Sequence, residues 1–177
     1  MKIFISHAIS DKKLIQTLIN SISPLGIQLL VAEHYISTRS NITTKIEQFI
    51  DKSDLAIILL TENGFNSNFV HQEIGYIRKA RKPLIQIVEN GHENKITGFI
   101  YGRDYLKYDP KNPDLLVDQL RNLLIKIRNQ KLKAAHQKKI QQVNANRALI
   151  AQKKKQENIT FGVLAGILAL TFASEDR

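Results

Sequence analysis

The chain has 177 residues, 43% of them hydrophobic, and a formal net charge of +10. Length and hydrophobic content are those of a globular domain with a real core plus an appendage. No cysteine is present, which excludes disulfides and thiolate metal sites and fits a reducing compartment.

The N-terminal "MKIFIS" has too short an apolar run for a secretory signal, so a cytoplasmic setting is expected. "KIFIS" reads as a first strand. "SDKKLIQTLINSIS" follows as a helix, with Leu14, Leu18 and Ile22 at helical spacing, Ser10 as its N-cap, and Pro24 and Gly26 closing it. "IQLLVAE" is the second strand and "HYISTRSN" a polar loop. "TTKIEQFIDKS" is an amphipathic helix with Ile46, Phe49 and Ile50 on one face. "DLAIILLT" is a third strand, apolar throughout, as expected where both faces of a parallel sheet are covered. "NSNFVHQEIGYIRKARKP" supplies the next helix, with Phe69, Val70, Ile74 and Ile77 as its apolar set and Pro83 as its stop. "LIQIVE" is a fourth strand and "RDYLKY" a fifth.

Strands alternating with helices imply right-handed crossovers, and hence a parallel five-stranded sheet with helices on both faces. Ligands bind such sheets outside the carboxyl ends of the strands. The segments to inspect are therefore Ser6 to Asp11, Glu33 to Asn41, Thr61 to Phe69 and Glu89 to Gly98.

Beyond Pro113 the character changes. "PDLLVDQLRNLLIKI" places Leu116, Leu120, Leu123 and Ile127 in a rhythm that packs on the domain or a partner. The predicted organisation is a domain over 1–128, a basic helical extension over 129–157 and an apolar segment over 158–177. Residues 1–110 carry 13 Lys+Arg against 11 Asp+Glu, and residues 111–177 carry 13 against 5. From Arg121 to Lys155 there are 11 basic residues and no acidic one. Such a run attracts nucleic acid, anionic lipid or an acidic partner. It lacks interleaved aromatics and any recognised module, so nucleic acid is not the expected partner. The final "ITFGVLAGILALTFA" gives only ~23 Å of helix, short of a ~30 Å hydrocarbon core. Lys153, Lys154 and Lys155 precede it and Gly162 and Gly166 punctuate it, leaving a membrane contact and an oligomer contact both open.

Motifs for metals, phosphate loops and nucleophile elbows are missing. The five histidines are scattered, without H-x-x-x-H, and there is no P-loop, G-x-G-x-x-G or G-x-S-x-G. No metal or cofactor is expected, and chemistry would have to come from a carboxylate. Glu73 is the candidate. It lies inside an apolar, helix-spaced pattern just beyond the third strand, with Phe69 four residues before it and Gly75 two after. A carboxylate against apolar groups has a raised pKa or needs a partner. On pattern alone, a solvated glutamate on an amphipathic helix is the commoner case.

"IFISHAISDKKL" resembles the first motif of Toll/interleukin-1 receptor (TIR) domains, and "SNFVHQEIG" resembles the motif around that family's catalytic glutamate. The resemblance covers about residues 1–128 and is nearest to microbial TIR proteins, among them Thoeris-like antiphage NADases. It implies a flavodoxin-like fold, which the long C-terminal helix read from the residues beyond Pro113 then follows. It also implies cleavage of NAD+ as substrate, to ADP-ribose or a cyclic product that signals in antiviral defence. Glu73 falls on the catalytic position. Phe69 falls on the aromatic that flanks the nicotinamide, and Ser67 on the serine before it. Phe4, Ser6, His7 and Asp11 fall on the first motif. Tyr35 to Asn41 corresponds to the loop that gates the site and mediates assembly, with Arg39 placed to meet a phosphate or a neighbouring subunit. Phe at 69 and Val at 70 depart from the usual Trp and Cys. The family implies homo-oligomers and a downstream effector protein. Two alternatives stand beside the enzyme: a TIR scaffold without activity, and a nucleoside deoxyribosyltransferase, whose E-[IL]-G-Y segment "QEIGYIRKARKP" also resembles. Arg78, Lys79, Arg81 and Lys82 sit near a helix C-terminus, where cations are favourable in any case.

Overall fold

The computed structural model describes residues 1–31, 39–98, 102 and 104–175; the side chains of 39–42 and 157–175 lie outside that description. Chain contacts divide it into two units, Met1–Arg128 and Asn129–Arg177.

The first unit holds five strands, β1 (Lys2–Ser6), β2 (Gln28–Val31), β3 (Leu55–Leu60), β4 (Leu84–Glu89) and β5 (Tyr105–Tyr108). They form one sheet in the order β2-β1-β3-β4-β5, with every pairing parallel. That is the doubly wound order whose direction reverses between β1 and β3, so their carboxyl ends open a crevice. The helices are α1 (Lys12–Ile22), α2 (Arg39–Lys52), the single turn α3 (Glu62–Phe65), α4 (Asn68–Lys79) and α5 (Pro113–Glu175).

The side-chain period of 2 in a strand explains the layering. Ile3, Ile5, Leu55, Ile57 and Leu59 face a layer built by Leu14, Ile15, Leu18 and Ile22 of α1 and by Leu116, Leu120 and Leu124 of α5. Their sequence neighbours Phe4, Ala56, Ile58 and Leu60 face Ile46 and Ile50 of α2 and Val70, Ile74 and Ile77 of α4. All six residues of β3 are buried, as the central strand of a sheet covered on both faces must be.

Local chemistry corrects several expectations. Ser10 is not the cap of α1: Ile9–Asp11 form a 3-10 turn and Asp11 is the N-cap residue, with its side chain used elsewhere. The expected loop through Asn41 ends sooner, because α2 already begins at Arg39. The rest of the expected gating loop, residues 32–38, lies outside the described residues. The link after β3 holds the turn α3, which the hydrophobic rhythm did not show because four residues make a single turn. In α5, Leu124 rather than Leu123 completes the buried stripe with Leu116 and Leu120, a regular repeat of four.

In the second unit, side chains from 129 to 156 are all exposed. Among the described residues no helix is long and apolar enough to cross a membrane. The side chains of the apolar stretch, on which the anchor or oligomer expectation rests, lie outside the described residues.

Candidate active site

α4 is capped by Ser67, whose backbone is extended and whose side-chain oxygen accepts the Val70 N–H at 3.4 Å. Such an N-cap satisfies one of the amides the first turn leaves open. The stripe α4 turns inward is Val70, Glu73, Ile74 and Ile77. A carboxylate thus occupies the middle of a helix stripe that otherwise packs against the sheet. Glu73 is 4% exposed.

Burial penalises the anion, and it pushes the Glu73 carboxyl up from 4.5 to about 7; a side-chain hydrogen bond from Ser6 works in the other direction. Ser6 is the last residue of β1 and is fully buried. The β1 end and α4 therefore converge on one carboxylate at the crevice.

Glu73 lines a cleft of about 160 Å³ together with Thr43, Ile46 and Glu47 of α2 and Phe69, Gln72 and Tyr76 of α4. Phe69 is half exposed, so its ring is a wall of the cleft and not a member of the core. The far ends of the two helices are fastened together. The Tyr76 hydroxyl donates to Asp51 Oδ2 at 3.2 Å, and Lys82 Nζ donates to the carbonyls of Asp51 at 2.6 Å and Ser53 at 2.9 Å. Lys82 thereby serves carbonyls that end α2, where cations are favoured. This accounts for one member of the basic run after Glu73 in structural terms.

A second polar cluster lies at the strand ends. Asp11 is buried, accepting from Thr61 Oγ1 at 2.8 Å and Asn63 Nδ2 at 3.4 Å. Thr61 Oγ1 in turn accepts the Gly64 N–H at 2.9 Å, capping α3. Burial raises the Asp11 pKa, against hydrogen bonds from Thr61, Asn63 and the Ala8 backbone, with Glu89 adding to the rise. A Cβ at Gly64 would stand 2.2 Å from the Leu59 carbonyl oxygen, so only glycine fits beneath this cluster.

The expected site residues therefore separate. Glu73 and Phe69 share the cleft, and Ser6 lies close enough to Glu73 to lower its pKa. Phe4 is fully buried in the core layer under α2 and α4. His7 is buried at the end of β1, and Asp11 joins Thr61 and Asn63. Ser67 is the helix cap. Arg39 opens α2, and its side chain lies outside the described residues. No group of metal-ligating side chains occurs among the described residues. Sequence reasoning missed Thr43, Glu47, Gln72 and Tyr76. Gln72 and Tyr76 share the i, i+3, i+4, i+7 face of Phe69 and Glu73 and were recoverable; that α2 lies opposite is a tertiary fact.

A family model described as TIR domain matches residues 3–124. The chain belongs to the TIR domain family. No curated protein matches it. Among solved structures, a prokaryotic SEFIR domain is similar at a TM-score of 0.53 and 16% identity, covering 69% of this chain and 96% of its own. A metazoan TIR-STING receptor from C. gigas gives 0.50 and 15%, over 66% of this chain and 38% of its own. A CMP N-glycosidase from Clostridium botulinum, BcmB, gives 0.52 and 18%, over 68% of this chain and 98% of its own. At these identities the likeness is one of fold. It is the flavodoxin-like TIR fold that the motifs around Ser6 and Glu73 implied.

Proposed function

We propose that this TIR domain cleaves the nicotinamide–ribose bond of NAD+, as a glycohydrolase or ADP-ribosyl cyclase, and that the product is a signal in antiviral defence of the Thoeris kind. The observation that carries the reading is a single one. Glu73, buried and with a pKa of about 7, borders a cleft walled by the half-exposed ring of Phe69. Nothing in packing requires a carboxylate there, since its neighbours on the stripe are aliphatic.

The chemistry suits that one group. When the bond from the ribosyl carbon to the pyridinium nitrogen breaks, its electron pair goes to nitrogen, and the base departs neutral without needing a proton. The ribosyl carbon is left cationic, and an adjacent carboxylate stabilises it. Water attack then releases a proton that a carboxyl of pKa about 7 can accept, giving ADP-ribose. Attack by a nitrogen of the adenine ring instead gives a cyclic product. The anion is the working form, and the positive charge of NAD+ favours ionisation of Glu73 as the substrate enters. A cleft of about 160 Å³ is smaller than a whole dinucleotide, in keeping with a site that copies of the domain complete together in a homo-oligomer.

Two solved proteins of this fold are named for related bonds, the CMP N-glycosidase and a 2-deoxyribosyltransferase from Bacillus psychrosaccharolyticus that is 12% identical. They support an N-glycosidic bond as the target class, and the choice of NAD+ rests on the TIR motifs. The test is nicotinamide release from NAD+ by concentrated purified protein. Glu73→Ala should lower turnover by at least about a hundredfold. Equal turnover by that variant would remove Glu73 from the mechanism, and no NAD+ loss at any protein concentration would favour a scaffold.

A further inference from the structure

The Asn129–Gln156 stretch of α5 carries two features that the catalytic domain does not need. One is a line of large aliphatic side chains in solvent. Leu132, Val143 and Ile150 are 62%, 42% and 65% exposed, and Ile140 is 47% exposed. Leu132, Val143 and Ile150 are separated by 11 and 7 residues. At 3.6 residues per turn these intervals place them within about 20° of one line along the helix, with Ile140 beside it. The line is ~27 Å long from Leu132 to Ile150. Repeats of 7 and 11 are the intervals by which an α-helix presents a seam to another helix.

The other feature is charge. Residues 129–156 hold eight Lys or Arg and no Asp or Glu. The cations surround the helix. Lys139, Arg147 and Lys154 border the aliphatic line, while Lys138 and Lys155 fall on the far side.

We propose that this face of α5 docks an acidic helical segment of a partner protein, its apolar seam against Leu132, Val143 and Ile150 and its carboxylates against the bordering cations. The two features together choose the occupant. A second copy of the chain would bring eight cations against eight, with no acid on either side to relieve them. Nucleic acid would use the charge and leave the aliphatic line without a role. A helix lying in a membrane surface segregates a broad apolar face from its cations, whereas here the line is one residue wide and basic on both borders. A helix with an apolar seam and acidic flanks satisfies both features.

The test uses the full chain and fluorescence anisotropy. The probe is a labelled synthetic helical peptide of about 28 residues, leucine at seam positions and glutamate elsewhere. Its control is a peptide of the same composition in scrambled order. The expected result is binding of the ordered peptide alone. The variant combining Leu132→Gln, Val143→Gln and Ile150→Gln weakens it about a hundredfold. Leu149→Gln, on an exposed leucine well off the line, leaves affinity unchanged, and circular dichroism shows the same helix content in both variants. Equal binding of the scrambled peptide, or of the triple variant, reduces the effect to bare charge and overturns the proposal. So does no binding of the ordered peptide, whether or not a short DNA duplex or equimolar phosphatidylcholine–phosphatidylglycerol vesicles bind. Self-association abolished by the triple variant, seen by sedimentation, overturns it in favour of a second copy. Nicotinamide release is measured in parallel and is unaffected by the substitutions, so failure here is distinguishable from failure of the catalytic reading.

Discussion

Glu73→Gln separates stability from activity at one atom pair. The native carboxyl titrates at about 7 against 4.5 when unconstrained, because burial disfavours the anion. Below about pH 4.5 the group is protonated in both native and unfolded chains and folding carries no penalty from it. As pH rises from there to 7 the unfolded chain ionises and the native chain resists, so stability is lost progressively. Above pH 7 both are ionised and the full penalty, about 3 kcal/mol for a shift of this size, is in place. Glutamine has the same shape and no charge. The variant therefore matches wild type to within about 0.5 kcal/mol of a constant offset at pH 4.5, and gains about 3 kcal/mol over it by pH 8.5. For a domain of this size that is an advantage on the order of 10 °C in melting temperature.

The measurement is urea or thermal unfolding of both proteins across that range. Only the change in their difference with pH is read, because every other titrating group is common to both. A difference that stays flat would mean an ordinary, solvated carboxylate. One that opens the other way, with wild type gaining at high pH, would mean that a cation holds the anion. Either outcome refutes the burial argument. On the proposed reading the same substitution removes the group that stabilises the ribosyl cation, so NAD+ turnover should fall while the fold is strengthened. That opposition is characteristic of a residue kept for chemistry and not for packing.

Wild-type turnover should rise with pH through the Glu73 ionisation. Ser6→Ala, which removes the hydrogen bond that lowers that pKa, should move the midpoint of the pH–rate profile to the alkaline side. Phe69→Ala should leave stability within about 1 kcal/mol, since the ring is half exposed, and raise KM for NAD+ about tenfold through the lost ring contact. Gly64→Ala should destabilise the domain by roughly 3 kcal/mol in urea unfolding, because its Cβ would stand 2.2 Å from the Leu59 carbonyl oxygen.

The sheet was legible because each strand announces its own burial. β3 is apolar in all six positions, as only a strand covered on both faces can be, and the polar Ser53 and Asp54 before it and Thr61, Glu62 and Asn63 after it leave little choice of length. What could not be read locally is which side chains share a space. Ser6 and Glu73 are far apart in sequence, and only the pairing of β1 beside β3 brings the end of one to the helix that follows the other. Asp11 shows the opposite failure. The expected cap of α1 was Ser10; Asp11 holds the N-cap position instead, yet its carboxylate is committed to Thr61 and Asn63 across the crevice, and the helix starts without a side-chain cap. In both cases a polar group at the carboxyl end of β1 takes its partners from the segments that follow β3. Helix capping and helix amphipathicity are rules of the single element, and each gives way where two elements meet around a buried charge. The departures therefore mark the crevice itself: an N-cap that does not cap and a buried helix stripe that contains a carboxylate lie on its two sides. Of the two, only the carboxylate within the apolar stripe is visible in the sequence; the cap that does not cap shows itself in the structure.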